Sequence, residues 1–267
     1  MKILVIHGSM RKGNTYALTK EIVDRLAKKG DVEITEISVA DLDLPFCRSC
    51  HICFSQGEEF CPHYERLTSV RDALDNCDGL VISGTTYLLA LNAAMKNLLD
   101  HFAYIFHRPT LFGKQGMVIA TSAGNGERGV AAYLKEIIGQ WGINEAQIVT
   151  LNTKDKMMQT GSDEFSPEYL QKLDATAQEF YQRIKRKRPT SPSLKAIAIH
   201  NAFRAMSLSE FSDSERDTHF WSQSGYRDQS YPVRIGFMKT LVGNLVFFAA
   251  NKATIALGRS YKNKRTK

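Results

Sequence analysis

Two groups of residues in this chain have the types and spacing that chemistry requires, and the first lies at the N-terminus. An apolar run, Ile3-Leu4-Val5-Ile6, breaks into His7-Gly8-Ser9-Met10-Arg11-Lys12-Gly13-Asn14-Thr15 and then into a helical pattern. A strand that ends in hydroxyls, glycines and cations at a helix N-terminus turns backbone N–H groups and the positive end of the helix dipole toward an anion. Ser9 offers a hydroxyl, Arg11 a planar fork of donors, and Asn14 or Thr15 is the expected helix cap, with Gly13 between them. The chain has no G-x-G-x-x-G and no G-x-x-x-x-G-K-[ST], which disfavours pyrophosphate and triphosphate cradles. A phosphate monoester is the expected ligand.

The second group is Cys47-x-x-Cys50-x-x-Cys53, followed after seven residues by Cys61-Pro62. Three thiolates at this spacing can wrap one face of a cubane cluster while a fourth returns from further along, and closure on Cys-Pro is the ferredoxin arrangement. A [4Fe–4S] cluster on Cys47, Cys50, Cys53 and Cys61 is the expected occupant. Zinc with His51 or His63 in a mixed set is an alternative, although structural zinc usually separates its two knuckles more widely. Free, redox-active thiols are the third. Cys77, at the end of a helical pattern, reads as a buried thiol.

These groups need a frame. Apolar runs of strand length recur at 2–7, 32–38, 79–83, 116–121 and 146–151, with helical patterns at 15–29, 64–76, 92–106, 128–140 and 166–186. Alternation of this kind makes a parallel sheet covered on both faces. The expected architecture is α/β, a doubly wound parallel five-stranded sheet resembling flavodoxin in its order 2-1-3-4-5, with a helical C-terminal extension. In that order the loops after strands one, three and four meet beside the first strand. The third strand leads into Thr85-Thr86-Tyr87-Leu88 and the fourth into Thr121-Ser122-Ala123-Gly124, both rich in small donors.

The motif Gly8-Ser9-x-Arg11-x-x-Asn14-Thr15 resembles the phosphate loop of the flavodoxin-like NADPH-dependent FMN reductases. With the cysteine run inserted after strand two, the chain is similar to the iron–sulfur flavoproteins over roughly its first 185 residues. The resemblance implies FMN, with Ser9, Arg11, Gly13, Asn14 and Thr15 at its phosphate. It implies that Thr85, Thr86, Tyr87, Leu88, Thr121, Ser122, Ala123 and Gly124 flank the isoalloxazine. The activity it implies is an NAD(P)H-dependent flavin oxidoreductase, which takes hydride from NADH or NADPH and passes electrons to an acceptor. Two other readings stay open: an electron carrier served by a ferredoxin-like partner, and a redox sensor switched at Cys47 to Cys61. Lys96 and Asp100, four residues apart, read as a structural pair, and His101 and His107 as structural histidines.

Composition sets the remaining bounds. The chain has 267 residues, 43% apolar, enough for a substantial core. Five cysteines with four of them between 47 and 61 suit a reducing compartment, and the N-terminal apolar run is only of strand length, so a cytoplasmic location is expected. From Arg183 onward 17 Lys/Arg face 5 Asp/Glu, against 18 and 23 before it. This shift divides the chain into residues 1–188, a flavodoxin-like FMN-binding domain with a cysteine-rich insertion at 47–61, and a basic extension, 189–267. Within the extension, Asp217-Thr218-His219-Phe220-Trp221 with Tyr226 and Tyr231 is expected to pack it onto the main domain, with a cover over the flavin as the alternative. Between Gly236 and Gly258, Met238, Leu241, Val242, Leu245, Phe248 and Ile255 recur at helical spacing, while Lys239, Asn244, Asn251 and Lys252 argue against a transmembrane span. An apolar face with basic flanks reads first as an arm for a homodimer or tetramer and second as a membrane-surface helix. No nucleic-acid module accompanies the basic tail, so no nucleic-acid partner is expected.

Overall fold

The computed structural model describes residues 1–154, 164–187, 190–223 and 225–265. The expected boundary at 188 and 189 lies outside the described residues. The strands are β1 (Lys2–His7), β2 (Glu33–Ser38), β3 (Gly79–Tyr87), β4 (Ala90–Leu91), β5 (Gln115–Ser122) and β6 (Ala146–Asn152). Five of them form one parallel sheet in the order β2-β1-β3-β5-β6, which is the expected 2-1-3-4-5 order of the long strands. The sixth was not expected: β4 is two residues long and turns back antiparallel on β3.

The helices of this half are α1 (Asn14–Ala27), α2 (Ile52–Ser55), α3 (Tyr64–Asn76), α4 (Ala93–His101), α5 (Ala103–His107), α6 (Glu127–Gln140) and α7 (Pro167–Arg186). Because side chains alternate along a strand, each central strand fills both layers. Leu4, Ile6, Leu80, Ile82, Val118 and Ala120 pack with α3, α4 and α6, while Ile3, Val5, Val81, Met117 and Ile119 pack with α1 and α7. Burying each such side chain contributes roughly 1.5–3 kcal/mol. The long α7 starts at a Ser166 cap, whose hydroxyl accepts from the Tyr169 N–H at 3.2 Å, followed by Pro167 in the first turn.

The extension adds α8 (Leu194–Ser207), α9 (Glu215–Ser222) and α10 (Phe237–Arg265). Its aromatic segment packs it onto the main domain, as expected. Trp221 is fully buried and donates from Nε1 to the His107 carbonyl at 3.1 Å, and the Tyr231 hydroxyl donates to Asn144 Oδ1 at 2.6 Å. Helix α10 lies along α8, where a Cβ on Gly243 would come within 2.8 Å of Asn201 Nδ2. Despite Lys239 and Lys252, α10 is long and apolar enough over Phe237–Ser260 to cross a membrane by length and composition alone.

Candidate functional site

The loops after β1, β3 and β5 open on one cavity of about 950 Å³. At its floor the Thr15 hydroxyl is bonded to that of Thr85 at 2.8 Å and to that of Thr121 at 2.6 Å. Thr85 and Thr121 are register partners across β3 and β5, so the sheet itself sets this contact. The expected cap is therefore corrected. Gly13 stands at the N-cap of α1 and makes no side-chain bond there, because Thr15 is turned toward the other two loops and Asn14 is already in the first turn. The first turn carries no acid, so its N–H groups and Arg11 leave a cationic, donor-rich rim that suits a phosphate.

Two contacts hold this loop in place. Ser9 Oγ and the Gly13 N–H both donate to the Arg11 carbonyl, at 3.0 and 2.9 Å. Gly8 passes so close to β3 that a Cβ there would stand 2.1 Å from the Ser83 carbonyl oxygen.

Of the residues expected at the site, Ser9, Arg11, Gly13, Asn14, Thr15, Thr85, Thr86, Tyr87, Thr121, Ser122 and Ala123 line the cavity. Leu88 and Gly124 do not. Leu88 is 97% exposed at the tip of the β3–β4 turn, and the Gly124 carbonyl accepts from Asn152 Nδ2 at 2.5 Å. Ser122 Oγ donates to Glu127 Oε2 at 2.5 Å, which ties the third loop to the start of α6.

The sequence reading missed Asp43, Leu44 and Phe46 on one wall and Asn92 and Asn97 on another. Asn92 donates to the Gly8 carbonyl at 2.8 Å, and its Oδ1 is buried without a partner among the described residues, as is the Thr86 hydroxyl. Each such atom costs about 1–3 kcal/mol unless something bonds it, so these two fit a ligand with a polar edge. Asn97, on the same side of α4 as His101, is 7% exposed although polar, and no sequence pattern marked it.

All four cysteines, Cys47, Cys50, Cys53 and Cys61, line a second cavity of about 370 Å³ with His51, His63 and His101, and none is in a disulfide. Asn97 belongs to both places. It lines the first cavity, accepts from the Cys47 N–H at 3.0 Å, and donates to the carbonyls of Leu44 and Pro45, each at 3.1 Å. His101 bonds the Pro45 carbonyl at 2.9 Å, and Lys96 pairs with Asp100, so both keep the structural roles expected of them. Burial, and then the neighbouring Cys61, push the Cys53 thiol up to about 11, and burial also raises Cys61. Among the described residues no three of His, Cys, Asp and Glu form a group ready to hold a metal ion. The donor set, four thiols on one cavity, has the softness that an iron–sulfur cluster requires, and these thiols would lose their protons as the metal binds.

Arg108, 4% exposed, fastens this segment to the extension. It donates to the Cys53 carbonyl at 2.9 Å, to Glu58 Oε2 at 2.7 Å and to Asp217 of α9, which also bonds His107 Nδ1 at 2.9 Å. Burial raises the Asp217 carboxyl, but the His107 bond and the Arg108 charge outweigh it and hold the carboxyl below the usual range. Ser214 Oγ adds a bond to the Phe54 carbonyl at 2.5 Å. The pairing of Arg108 with Asp217 escaped the sequence reading, because no local pattern links residues 109 apart.

A profile of the NADPH-dependent FMN reductase family matches residues 1–154. The chain belongs to the NADPH-dependent FMN reductase family. An iron-sulfur flavoprotein of Archaeoglobus fulgidus is 30% identical over 145 residues, which covers 54% of this chain and 64% of that protein. One of Methanocaldococcus jannaschii is 30% identical over 124 residues, 46% of this chain and 63% of that one. This FMN reductase family member thus spans just under two thirds of the length of those relatives. The crystal structure of a proposed quinone reductase from Klebsiella pneumoniae aligns with a TM-score of 0.51 at 13% identity, over 71% of this chain and 86% of that one, which shows a shared fold. The family match includes the cysteine segment and stops before the extension.

Proposed function

We propose that the chain binds FMN in the larger cavity and acts as an NAD(P)H-dependent flavin oxidoreductase. The observation that carries this reading is the hydroxyl trio Thr15, Thr85 and Thr121, which draws three donor-rich loops onto one cavity beside an uncapped helix N-terminus. Ser9, Arg11, Gly13, Asn14 and Thr15 would hold the phosphate. Thr85, Thr86, Tyr87, Thr121, Ser122 and Ala123 would flank the ring, and the unpartnered oxygens of Asn92 and Thr86 would meet its polar edge. Tyr87, 72% exposed at the rim, offers an aromatic face to a planar group. Bound FMN supplies the exchange of hydride for electrons, so the protein's work is to bind and orient, with no protein acid or base needed.

Cys47, Cys50, Cys53 and Cys61 would hold a [4Fe–4S] cluster, a reading supported by the shared cavity and by relatives named iron-sulfur flavoproteins. The contact of Asn97 with both places favours a second reading, an electron carrier that needs no nicotinamide. Anaerobic purification of the full chain, with FMN, iron and sulfide assayed on one sample, tests both. One FMN and about four irons per chain are expected, with the flavin bands bleached by NADPH or NADH. Reduction by a ferredoxin system alone would select the carrier. Failure to retain or take up FMN would refute the reading.

A further inference from the structure

Helix α10 presents an outward face that the other described residues leave bare. Phe237, Met238, Leu241, Leu245 and Phe248 are 43 to 79% exposed along it, a stripe of about 17 Å at the rise of an α-helix. Exposed apolar surface of this extent marks a contact with something else. The opposite face is occupied: Gly243 sits against Asn201 and Ile197 of α8, and Gly258 against Phe211. With one side packed on its own domain, the other is placed to lie along a surface.

Charge identifies the surface. From Gln229 to Lys267 the sequence has eight Lys/Arg and no Asp or Glu. A second copy docked through the same face would bring these cations against their equivalents, with no carboxylate in the segment to offset them. An anionic bilayer offers hydrocarbon for the stripe and phosphate for the flanks. We propose that α10 is an interfacial helix that docks this protein on acidic phospholipid surfaces. The proposal stands apart from the flavin reading, since its test needs no bound cofactor.

The test is sedimentation of the full chain with vesicles of phosphatidylcholine containing about 30% phosphatidylglycerol, beside vesicles of phosphatidylcholine alone. The bound fraction is expected to be about tenfold higher on the anionic vesicles and to fall when salt is raised to about 0.5 M. The double variant Leu245→Gln and Phe248→Gln changes side chains that are 61 and 67% exposed, so it should keep the circular dichroism of the parent and lose about tenfold in binding. Three results would overturn the proposal: no preference for anionic vesicles, a solution dimer that the double variant converts to monomer, or a membrane-bound chain that resists both high salt and alkaline carbonate, as a spanning helix does.

Discussion

Thr15 and Thr121, 106 residues apart in the chain, share a hydroxyl–hydroxyl bond of 2.6 Å, and Thr85 joins them through Thr15 at 2.8 Å. One residue comes from the first turn of α1 and the other two from neighbouring parallel strands in register. The floor of the cavity is therefore as rigid as the sheet, and the loops above it start from fixed points. Buried hydroxyls bonded to one another also leave the backbone N–H groups of α1 for a ligand, where a side-chain cap would have used one.

Replacing Thr15 with Val keeps the volume and removes the hydroxyl common to both bonds. A buried Thr121 hydroxyl left without this partner costs about 1–3 kcal/mol. Urea unfolding should register that loss, and FMN affinity should fall about tenfold, the equivalent of about 1.4 kcal/mol. Thr15→Ser should retain most of both. A Thr15→Val protein with parental stability and affinity would show that the trio does not organise the site.

Gly8→Ala tests the approach of β1 to β3. The added Cβ would stand 2.1 Å from the Ser83 carbonyl oxygen, a backbone atom that no rotamer can move. Relief requires the strand ends to separate, at a cost of about 1–3 kcal/mol or more. A lower melting temperature is expected together with weaker FMN binding, because the same shift opens the loop from Ser9 to Thr15. Loss of stability with unchanged affinity would separate the strand from the site.

What the sequence disclosed and what it hid have physical reasons. The central strands β1, β3 and β5 were legible because parallel strands buried on both faces read as apolar runs, as Ile3-Leu4-Val5-Ile6 does, and the edge strands β2 and β6 because apolar residues recur between polar ones. The three loops were legible because their donors are clustered at strand ends. The hairpin to β4 was not, since its two turn residues are leucines and carry none of the usual Asn-Gly chemistry. Asn92 and Asn97 were hidden inside a helical pattern, where only three-dimensional packing shows that they face the cavity and the cysteine segment. The attachment of the extension to that segment rests on Arg108 and Asp217, which no spacing rule connects.

Asp217→Asn measures that attachment. Removing this partner leaves the buried Arg108 charge to Glu58, at a cost of up to about 3 kcal/mol. The folded-state carboxyl is held below its ordinary value, so its contribution is present above the unfolded value of about 4 and is lost as pH falls through the lower, folded one. The stability gap between parent and variant should therefore be widest near neutral pH and close in acid. Chemical unfolding at a series of pH values checks this, and a gap that does not change with pH would assign the loss to packing alone.

The turn between β3 and β4 gives the last prediction. Tyr87 pairs with Ala90, and the two residues between them, Leu88 and Leu89, have φ of 46° and 65°. The left-handed region costs roughly 1–2 kcal/mol for a residue with a Cβ, while Asn and Gly enter it readily. Leu88→Asn with Leu89→Gly should therefore raise the melting temperature. Leu88 was expected beside the flavin ring, yet it is 97% exposed and outside the cavity. The double variant should bind FMN within about twofold of the parent, a change of under about 0.5 kcal/mol. A large loss of affinity would mean that this turn folds over the bound ring and that the expected role of Leu88 holds when the site is filled.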